Sequence, residues 1–386
     1  MVNMDKQDEV YAWLADQKDQ MVNLLEDIVN IDSGSFDKSG VDAVGERITA
    51  LLQENGIQVT RIPIESYGDV FKAESNVNCR KPILLTGHRD TVFTKGEAAL
   101  RPFEIKNNRA YGPGVADMKA GLVMNTFLLL AFNRIDPQVP IAMIMTGDEE
   151  IGSLGSKEHI IEESRNALAV FNAEPARASG NFVNERKGDV EYRVEVFGRA
   201  AHSGAEFSQG ISAIHELAYK IVSLHELTRV VDGITVNVGL ISGGDALSTI
   251  APLATAEFQI RFITEKQRAE LTRSIDEIFA TSNVPGTSFK LTQLCDYIPL
   301  TRTPQNDALS AFYIEAAKEM GVILTAESSG GAADSGFSSS VGVATICAVG
   351  PIGGRAHTIE EYVELSSLPE RAVIAARTIY KMIEKR

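Results

Sequence analysis

Hydrophobic positions in the first half of the chain follow a pattern in which helices alternate with strands. Residues 7–30 and Val41–Asn55 carry apolar side chains at helical spacing, and Gly56 is a typical helix C-cap. Later apolar runs predict strands at Gln58–Pro63, Pro82–Thr86, Ile141–Thr146 and Leu168–Phe171, with a helix at Ala120–Phe132. Strands that alternate with helices predict a mainly parallel sheet, as in α/β proteins.

A different pattern begins near residue 186. Residues 190–197, 234–240 and 253–262 alternate apolar and polar side chains, and a helical pattern covers Ser212–Leu227. Such alternation is typical of antiparallel strands with one solvated face, so a βαββαβ-type α+β module is predicted.

Helix and buried-strand patterns return from Asn306, with a helix at Asp307–Met320, a strand at Val343–Val349 and a closing helix at Leu368–Lys385. The α+β module therefore looks inserted into a larger α/β domain. We predict a catalytic domain of residues 1–185 and 303–386 with an inserted domain at 186–302. Two domains also suit a chain of 386 residues.

Composition excludes several classes of function. The net charge of −15 argues against nucleic acid or an anionic membrane as a partner. The cysteines, Cys79, Cys295 and Cys347, form no CxxC pair, so we expect reduced thiols rather than a zinc ribbon or disulfides. The N-terminus lacks the apolar segment of a signal peptide, and no run of roughly 18 apolar residues is present. We therefore expect a cytoplasmic protein with no membrane partner.

The strongest chemical signal lies in IAMIMTGDEEIGSLG, residues 141–155. An apolar run there leads directly into Asp148, Glu149 and Glu150, and acids at the carboxyl end of a strand stand where open α/β sheets bind ligands. Neighbouring glutamates can divide the work of metal-assisted hydrolysis, one holding a cation and the other moving protons. Taken alone, the triplet also fits a solvated acidic turn.

Four other places put metal-ligand side chains at strand ends or in glycine-rich loops. His88 and Asp90 follow an apolar strand in LLTGHRDTV, where the imidazole could bind a metal and the carboxylate could fix its orientation. Asp117 precedes an apolar helix in YGPGVADMKAG. Its carboxylate could bridge two cations, or Asp117 could be only the N-cap of that helix. Glu174 follows a short strand in NAEP, and His357 lies in GPIGGRAHTIEEYV.

The combined set of imidazole and carboxylate ligands comprises His88, Asp117, Glu150, Glu174 and His357. These donors suit a pair of zinc ions, with cobalt or manganese as alternatives. A carboxylate that bridges two ions about 3.5–4 Å apart creates a co-catalytic hydrolase centre. Glu149 is then left to act as the general base.

The chain resembles the M20 family of metallopeptidases and amidohydrolases, and most of all its glutamate carboxypeptidase branch. The resemblance covers nearly the whole chain, in family order, through the motifs GHRDTV, GPGVADMKAG, TGDEEIGSLGS, NAEP, GRAAHSG and GPIGGRAHTIEEYV. It implies a zinc-exopeptidase-like catalytic domain and an inserted ferredoxin-like lid and dimerisation domain. It also implies two zinc ions bridged by Asp117, Asp90 as the orienter of His88, Glu149 as the base, and a cis peptide at Asp117–Met118.

The resemblance also suggests substrate contacts in and beside the inserted module. From the sequence pattern alone, His202 in GRAAHSG could be a ligand, a catalytic group or a surface residue. The resemblance implies that it reaches the active site of a partner subunit and stabilises the oxyanion. Arg261 is either an exposed strand-end charge or a group that holds the substrate's α-carboxylate. Backbone N–H groups at Gly330 and Gly331 could receive a carboxylate, although a flexible surface loop is the alternative. Thr249 departs from the asparagine that the family often has.

The resemblance therefore implies a homodimeric, di-zinc hydrolase that releases a C-terminal amino acid, glutamate by expectation, from a peptide or N-acyl conjugate. The alternative within the same chemistry is a deacylase of N-acyl amino acids, similar to aminoacylases and acetylornithine deacetylases. A non-catalytic scaffold that kept the fold is a third reading, against which the complete ligand set and Glu149 argue.

Overall fold

The computed structural model of the protein describes residues 4–75 and 81–385, and Cys79 lies outside these ranges. The chain divides into two compact units. The first comprises Met1–Glu185, Arg302–Ser329 and Ala333–Arg386, and the second comprises Arg186–Thr301 and Gly330–Ala332. Cys295 and Cys347 are buried, and the thiol of Cys347 donates to Oδ1 of Asn172 at 3.0 Å.

The α-helices of the described residues are α1 (Met4–Ala15), α2 (Lys18–Val29), α3 (Lys38–Glu54), α4 (Glu97–Leu100), α5 (Ala120–Ile135), α6 (Lys157–Arg165), α7 (Ala213–Glu226), α8 (Glu265–Phe279), α9 (Pro304–Glu319), α10 (Ser335–Ser339) and α11 (Ser367–Glu384). The strands are β1 (Gln58–Ile62), β2 (Val70–Glu74), β3 (Ile83–His88), β4 (Glu104–Lys106), β5 (Arg109–Tyr111), β6 (Ile141–Thr146), β7 (Ala169–Asn172), β8 (Phe182–Arg186), β9 (Gly188–Phe197), β10 (Thr235–Gly243), β11 (Leu253–Phe262), β12 (Ser288–Tyr297), β13 (Ala326–Ser329), β14 (Ala344–Ile346), β15 (Gly353–Gly354) and β16 (Tyr362–Glu364).

A six-stranded sheet in the order β1-β2-β6-β3-β7-β14 forms the centre of the first unit. The four strands from β6 to β14 run parallel, and β1 and β2 add antiparallel pairs at one side. In β3 and β6 every residue is buried, which explains why both strands appear in the sequence as continuous apolar runs. The predicted α/β class with a mainly parallel sheet is confirmed.

Helix α5 is the core helix of the first unit, and nearly all of its residues are buried. The helical stretch Val115–Ile135 is long and apolar enough to span a membrane by length and composition, but 94% of its most apolar window is buried inside the fold. Its apolar surface is therefore already covered by protein.

The N-terminal helical pattern was predicted as one helix over residues 7–30, and this prediction is wrong. The structure has α1 and α2, with a break at Asp16–Gln17. The apolar positions Val10, Leu14 and Met21 are all buried and keep their helical spacing across the break. Periodicity alone could not reveal it.

The second unit has the βαββαβ order β9-α7-β10-β11-α8-β12. Its strands form one antiparallel sheet in the order β10-β11-β9-β12, with its own hydrophobic core. In β11 buried and partly buried residues alternate along the strand, as the sequence pattern indicates for a sheet with two different faces.

A small antiparallel sheet, β15-β16-β5-β4, has strands of only two or three residues. Strand β5 leads into the loop that contains Asp117, and the turn between β15 and β16 contains His357. Because Val363 of β16 pairs with Ala110 of β5, the end of the His357 turn lies beside the start of the Asp117 loop. Strands this short leave no periodic signal, so sequence patterning missed them.

Arg89 is fully buried directly after β3. Its Nε donates to the carbonyl of Thr146 at 3.1 Å, Nη1 donates to Val41 at 3.0 Å, and Nη2 donates to the carbonyl of Asp69. The Asp42 carboxylate lies 3.8 Å from Nη1 and offsets its charge. One side chain therefore ties the end of β3 to the end of β6, to α3 and to the loop before β2.

We predict that Arg89→Met lowers the free energy of unfolding of the first unit by about 3 kcal/mol, because buried carbonyls lose their donors. Urea titration followed by fluorescence of Trp13, the one tryptophan in the chain, would measure the change. Arg47→Met is the control, because the exposed Arg47–Asp27 pair should contribute less than about 1 kcal/mol. Equal losses in the two variants would contradict the prediction.

Candidate metal centre

The parallel strands bring three ligand-bearing loops to one edge of the sheet. His88 at the end of β3 pairs in register with Thr146 at the end of β6, just before Glu149 and Glu150. On the other side of β3, Thr86 pairs with Asn172 at the end of β7, two residues before Glu174. The carboxyl ends of parallel strands share an edge, so these side chains converge.

Asp117 lies between two imidazoles. Its Oδ1 is 3.3 Å from Nε2 of His88, and its Oδ2 is 3.3 Å from Nε2 of His357. Nε2 of His88 also lies 3.6 Å from Glu174, and Nε2 of His357 lies 3.2 Å from Glu150. Each imidazole therefore faces a different oxygen of Asp117 and also lies near a glutamate, Glu174 for His88 and Glu150 for His357.

The electrostatics of the cluster follow from this proximity. Burial would lower the pKa of His88, but the carboxylates of Asp117 and Asp90 raise it well above its ordinary value. The carboxylates of Asp117 and Glu150 raise the pKa of His357 to about 10. Burial opposes ionisation of Asp117, yet its bonds to the two imidazoles hold its pKa below the usual value. The imidazoles thus supply positive charge to a group of buried acids.

Asp90 is fully buried and organises the adjacent loop. Its Oδ1 accepts the backbone N–H of Glu149 at 3.0 Å, and its Oδ2 accepts the N–H of Glu150 at 3.1 Å and the hydroxyl of Ser35 at 2.7 Å. Nδ1 of His88 lies 3.0 Å from the Asp90 carbonyl and 3.4 Å from its carboxylate. Asp90 therefore fixes both the imidazole and the two glutamates.

The three acids of the DEE triplet lie in different environments. Asp148 is buried, and its carboxylate accepts the N–H of Gly155 at 2.5 Å and of Ser156 at 3.2 Å, so it closes its own loop. Glu149 faces the imidazole of His88, with Oε2 4.0 Å from Nε2. Burial raises the pKa of Glu149 well above its usual value, against the opposing charge of His88.

Glu361 is a residue that sequence reasoning missed. It is fully buried, its Oε1 accepts the N–H of Ala116 at 2.8 Å and of Asp117 at 2.9 Å, and its Oε2 accepts the N–H of Gly114 at 3.3 Å. Burial raises its pKa to about 7. Glu361 therefore holds the Asp117 loop from behind, and the peptide Asp117–Met118 in this loop is cis, as expected.

Asp334 is a second buried acid that the sequence did not single out. The hydroxyl of Thr146 donates to its Oδ2 at 3.3 Å, and the hydroxyl of Ser153 donates to its Oδ1. Both hydroxyls flank the DEE triplet, so Asp334 braces this loop from the side of α10. In the sequence it is one acid in a glycine-rich loop, with no pattern that reveals distant partners.

Comparison with known proteins identifies the family. The model of peptidase family M20/M25/M40 matches residues 84–381, which is more than half of the chain. The chain belongs to this family. The family prediction is confirmed, and the protein is a metal-dependent hydrolase.

Curated relatives and solved structures agree with this placement. Carboxypeptidase G2 of Pseudomonas sp. (strain RS-16) is 28% identical over 97% of this chain and 92% of its own length. Acetylornithine deacetylase of Pasteurella multocida (strain Pm70) is 29% identical over 58% of this chain and 62% of its own. The M20 metallo-carboxypeptidase Sso-CP2 of Sulfolobus solfataricus superposes with a TM-score of 0.76 at 19% identity, over 95% of this chain and 99% of that chain.

The donor set of this M20 protein fits divalent metal ions. One ligand atom from each of His88, Asp117 and Glu150 lies within 4.8 Å of the other two. Oε1 of Glu150 is buried and has no hydrogen-bond partner among the described residues, which is costly unless a cation binds there. Mixed imidazole and carboxylate ligands are the donors that zinc accepts, and cobalt and manganese accept them too.

The second unit holds the other residues singled out from the sequence. Nη1 of Arg261 donates to the carbonyl of Gly330 at 2.8 Å, and Nη2 lies 2.9 Å from Asp189. The carbonyl of Gly331 accepts from Arg186 at 3.2 Å. Burial raises the pKa of Asp189 to about 6, against the charge of Arg261. Arg261 and Gly330 are therefore in direct contact, and Arg186 is a further cation beside this loop.

His202 is exposed in the second unit, with a defined ring orientation. Its Nδ1 accepts the backbone N–H of Gly204 and of Ala205, each at 3.1 Å. In a neutral imidazole one nitrogen accepts and the other carries the proton, so Nε2 is the donor.

We predict that Glu361→Gln weakens metal binding about 10–100-fold, the usual cost of losing a group that supports a ligand. The amide nitrogen of a glutamine cannot accept a hydrogen bond. At least one backbone N–H group that now donates to the Glu361 carboxylate would therefore face another N–H group. Zinc affinity measured by competition with a chelator would test this.

Glu364→Gln is the matched control for that measurement, because the Glu364 carboxylate pairs with Arg109 at 2.7 Å instead. Zinc affinity should be unchanged in this control. Unaltered affinity in Glu361→Gln would show that the Asp117 loop keeps its conformation without the carboxylate.

Proposed function

We propose that this protein uses two zinc ions to hydrolyse an amide bond and release a C-terminal amino acid, glutamate by expectation, from a peptide or N-acyl conjugate. The observation that carries the proposal is the position of Asp117, whose two oxygens each face a different imidazole at 3.3 Å. This arrangement suits one ion held by His88 and Glu174 and a second held by His357 and Glu150, with Asp117 as the shared ligand. Cobalt or manganese could replace zinc at these donors.

Glu149 is the residue that moves protons in this proposal. When bound, the metal ions supply Lewis-acid polarisation of the amide carbonyl and of the attacking water. Glu149 removes a proton from that water and passes it to the departing amine. Its backbone N–H is bonded to Asp90, so the carboxylate is held beside the metal ligands while it exchanges the proton. Asp90 acts through His88 and this loop as a positioning residue.

His202 is proposed as the donor that stabilises the oxyanion. Its exposed position and the proton on Nε2 support this role, because an oxyanion needs a hydrogen-bond donor. The resemblance to dimeric M20 proteins implies that such a histidine acts in the partner's active site, so we propose a homodimer in which His202 acts across subunits.

Exposed apolar residues of the second unit support the homodimer. Val222 on α7 and Leu240 and Ile241 on β10 are each at least 60% exposed. Among the described strands, β10 is one of the two edges of its sheet, and an apolar edge strand is a ready surface for pairing with another chain. We propose this face as the dimer contact.

Arg261, Gly330 and Gly331 are proposed to receive the α-carboxylate of the substrate. Arg261 retains partial exposure while its contacts with Gly330 and Asp189 fix its guanidinium, and guanidinium groups recognise carboxylates through paired hydrogen bonds. A deacylase of N-acyl amino acids is the second candidate, supported by the similarity to acetylornithine deacetylase. The two functions differ in the acyl group and in the amino acid that is released.

We predict that the zinc-loaded protein releases glutamate from N-acyl glutamate conjugates, and that Glu149→Gln lowers kcat by at least about 10²–10⁴-fold because the proton acceptor is lost. Zinc content measured on the same samples should stay at two ions per chain in Glu149→Gln. Glu150→Gln is the paired variant, and it should lose zinc as well as activity.

Near-normal turnover by Glu149→Gln would remove it from the proposed role. Full zinc content with no hydrolysis of any N-acyl amino acid or dipeptide by the wild-type protein would contradict the proposed function. Faster hydrolysis of short N-acetyl amino acids than of larger conjugates would favour the deacylase.

We predict that His202→Ala lowers kcat about 10²–10³-fold, the range for loss of one oxyanion donor. Mixing it with inactive Glu149→Gln under subunit exchange should restore activity, because each mixed dimer then has one site with both residues. Random exchange gives about a quarter of wild-type activity, since half of the dimers are mixed and each has one complete site. Mixing without recovery, in dimers shown to exchange, would place His202 in its own subunit's site or outside catalysis.

A further inference from the structure

Arg261 and Asp189 face each other across two neighbouring strands of the second unit. Arg261 on β11 pairs in register with Asp189 on β9, and its Nη2 lies 2.9 Å from Oδ2 of that carboxylate. Nε of Arg261 donates to Oε1 of Gln259 at 2.7 Å, and Nη1 donates to the carbonyl of Gly330 at 2.8 Å. Three partners therefore hold the guanidinium, and Asp189 is the charged one.

Asp189 depends on Arg261 for compensation of its charge. Its side chain is buried, and its Oδ1 has no hydrogen-bond partner among the described residues. In the part of the chain that the structure describes, Arg261 is the one ion-pair partner of Asp189. A buried carboxylate is costly unless a cation compensates it. The guanidinium of Arg261 is therefore already engaged by an anion of the protein before any ligand binds.

The other titratable groups around Asp189 add no positive charge. Glu191 is a second acid on the same strand, and Tyr297 on the neighbouring strand β12 pairs in register with Asp189. The thiol of Cys295, also on β12, stays neutral because burial raises its pKa. Burial raises the pKa of Asp189 to about 6, against the charge of Arg261 and with the charge of Glu191. Asp189 is therefore ionised near neutral pH and takes up a proton in mildly acidic solution.

A carboxylate of the substrate would approach a guanidinium that still has donors but whose charge is shared. A guanidinium carries five N–H groups, and the bonds to Gln259 and Gly330 use two of them. Hydrogen bonds to a second carboxylate can therefore form. Two carboxylates would then lie beside one cation, and like charges at short range disfavour each other.

We propose that Asp189 is an internal counter-ion that competes with the α-carboxylate of the substrate for Arg261 and thereby weakens the binding of the substrate and of the released amino acid. The inference rests on the proposed function, in which Arg261 receives that carboxylate, and it adds Asp189 as the residue that sets the affinity. The amino acid product carries the same α-carboxylate, so the competition also favours its release. Since only the ionised form competes, protonation of Asp189 strengthens binding.

The experiment uses the zinc-loaded protein with N-acetyl-glutamate, or with another N-acyl amino acid that the wild type hydrolyses faster, and with the α-amide of the same compound. Asp189→Asn removes the charge but keeps the size and an acceptor oxygen. Above pH 7 it should raise the ratio of the two kcat/KM values, carboxylate over amide, about three- to tenfold, mainly through a lower KM for the carboxylate. The inhibition constant of the released amino acid should fall by a similar factor.

The pH dependence of the same ratio gives a second readout. In the wild type the ratio should rise as the pH falls through about 6, because Asp189 takes up a proton and stops competing. In Asp189→Asn the ratio should stay constant between about pH 5.5 and 8, where the α-carboxylate of the substrate remains ionised. Titration of the metal ligands and of Glu149 affects both substrates and cancels in the ratio.

Two further variants locate the effect. Asp296→Asn removes a carboxylate from the same sheet, but the cation beside Asp296 is Arg268, so the ratio should stay within about twofold of the wild type. The double variant Asp189→Asn/Arg261→Gln removes the ion pair as a whole, and its ratio should fall about tenfold below the wild-type value. Retained hydrolysis of the α-amide shows that each variant is folded.

Every outcome supports or overturns the inference. An unchanged ratio in Asp189→Asn overturns it, and a lower ratio does so as well, because Asp189 would then position Arg261 instead of competing for it. A raised ratio that persists in the double variant would show that Arg261 is not involved, which also overturns it. In these cases hydrolysis by the wild type leaves the proposed function standing. If the zinc-loaded wild type hydrolyses no N-acyl amino acid or dipeptide, the proposed function fails and the inference fails with it.

Discussion

The carboxylate of Asp117 lies between the imidazoles of His88 and His357, with 3.3 Å between the nearest atoms on each side. This interaction brings together loops from distant parts of the chain, and Glu150 and Glu174 lie against the same two rings. Several carboxylates share one largely buried space, and such a group is stable only when positive charge compensates it. Protonated imidazoles can supply that charge, and divalent cations can replace the protons at the same atoms. The requirement for cations therefore follows from the fold itself.

A second set of buried acids makes this arrangement possible without belonging to it. Asp90, Asp148 and Glu361 accept backbone N–H groups from the loops that carry Glu149, Glu150 and Asp117. Hydrogen bonds to a carboxylate are stronger than those to a neutral acceptor, and they fix a loop that has no regular secondary structure. Identical side-chain chemistry thus serves two purposes. Some acids hold loops, and the acids on those loops face the imidazoles.

The sequence predicted the fold wherever one periodic signal extended over a whole element. Strand β6 was predicted at its observed bounds, because six buried residues form one apolar run. The break between α1 and α2 was missed because the spacing of apolar residues continues across it. The strands β15 and β16 were missed because they are too short to show a period. The proposed metal ligands stood out because each follows a strand or lies in a glycine-rich loop. Glu361 and Asp334 did not, because their significance depends on partners far away in the sequence, such as Ala116 at 245 positions and Ser153 at 181.

The division of the chain also separates two properties that are often measured together. All the proposed metal ligands and Glu149 belong to the first unit, whereas His202, Arg261 and Gly330 belong to the second. Under the proposed function, metal affinity depends on the first unit alone, while turnover also depends on His202 and Arg261. A substitution in the second unit that lowers kcat and leaves metal binding unchanged is then no sign of a damaged metal centre. Selection of the released amino acid depends, in this scheme, on the second unit.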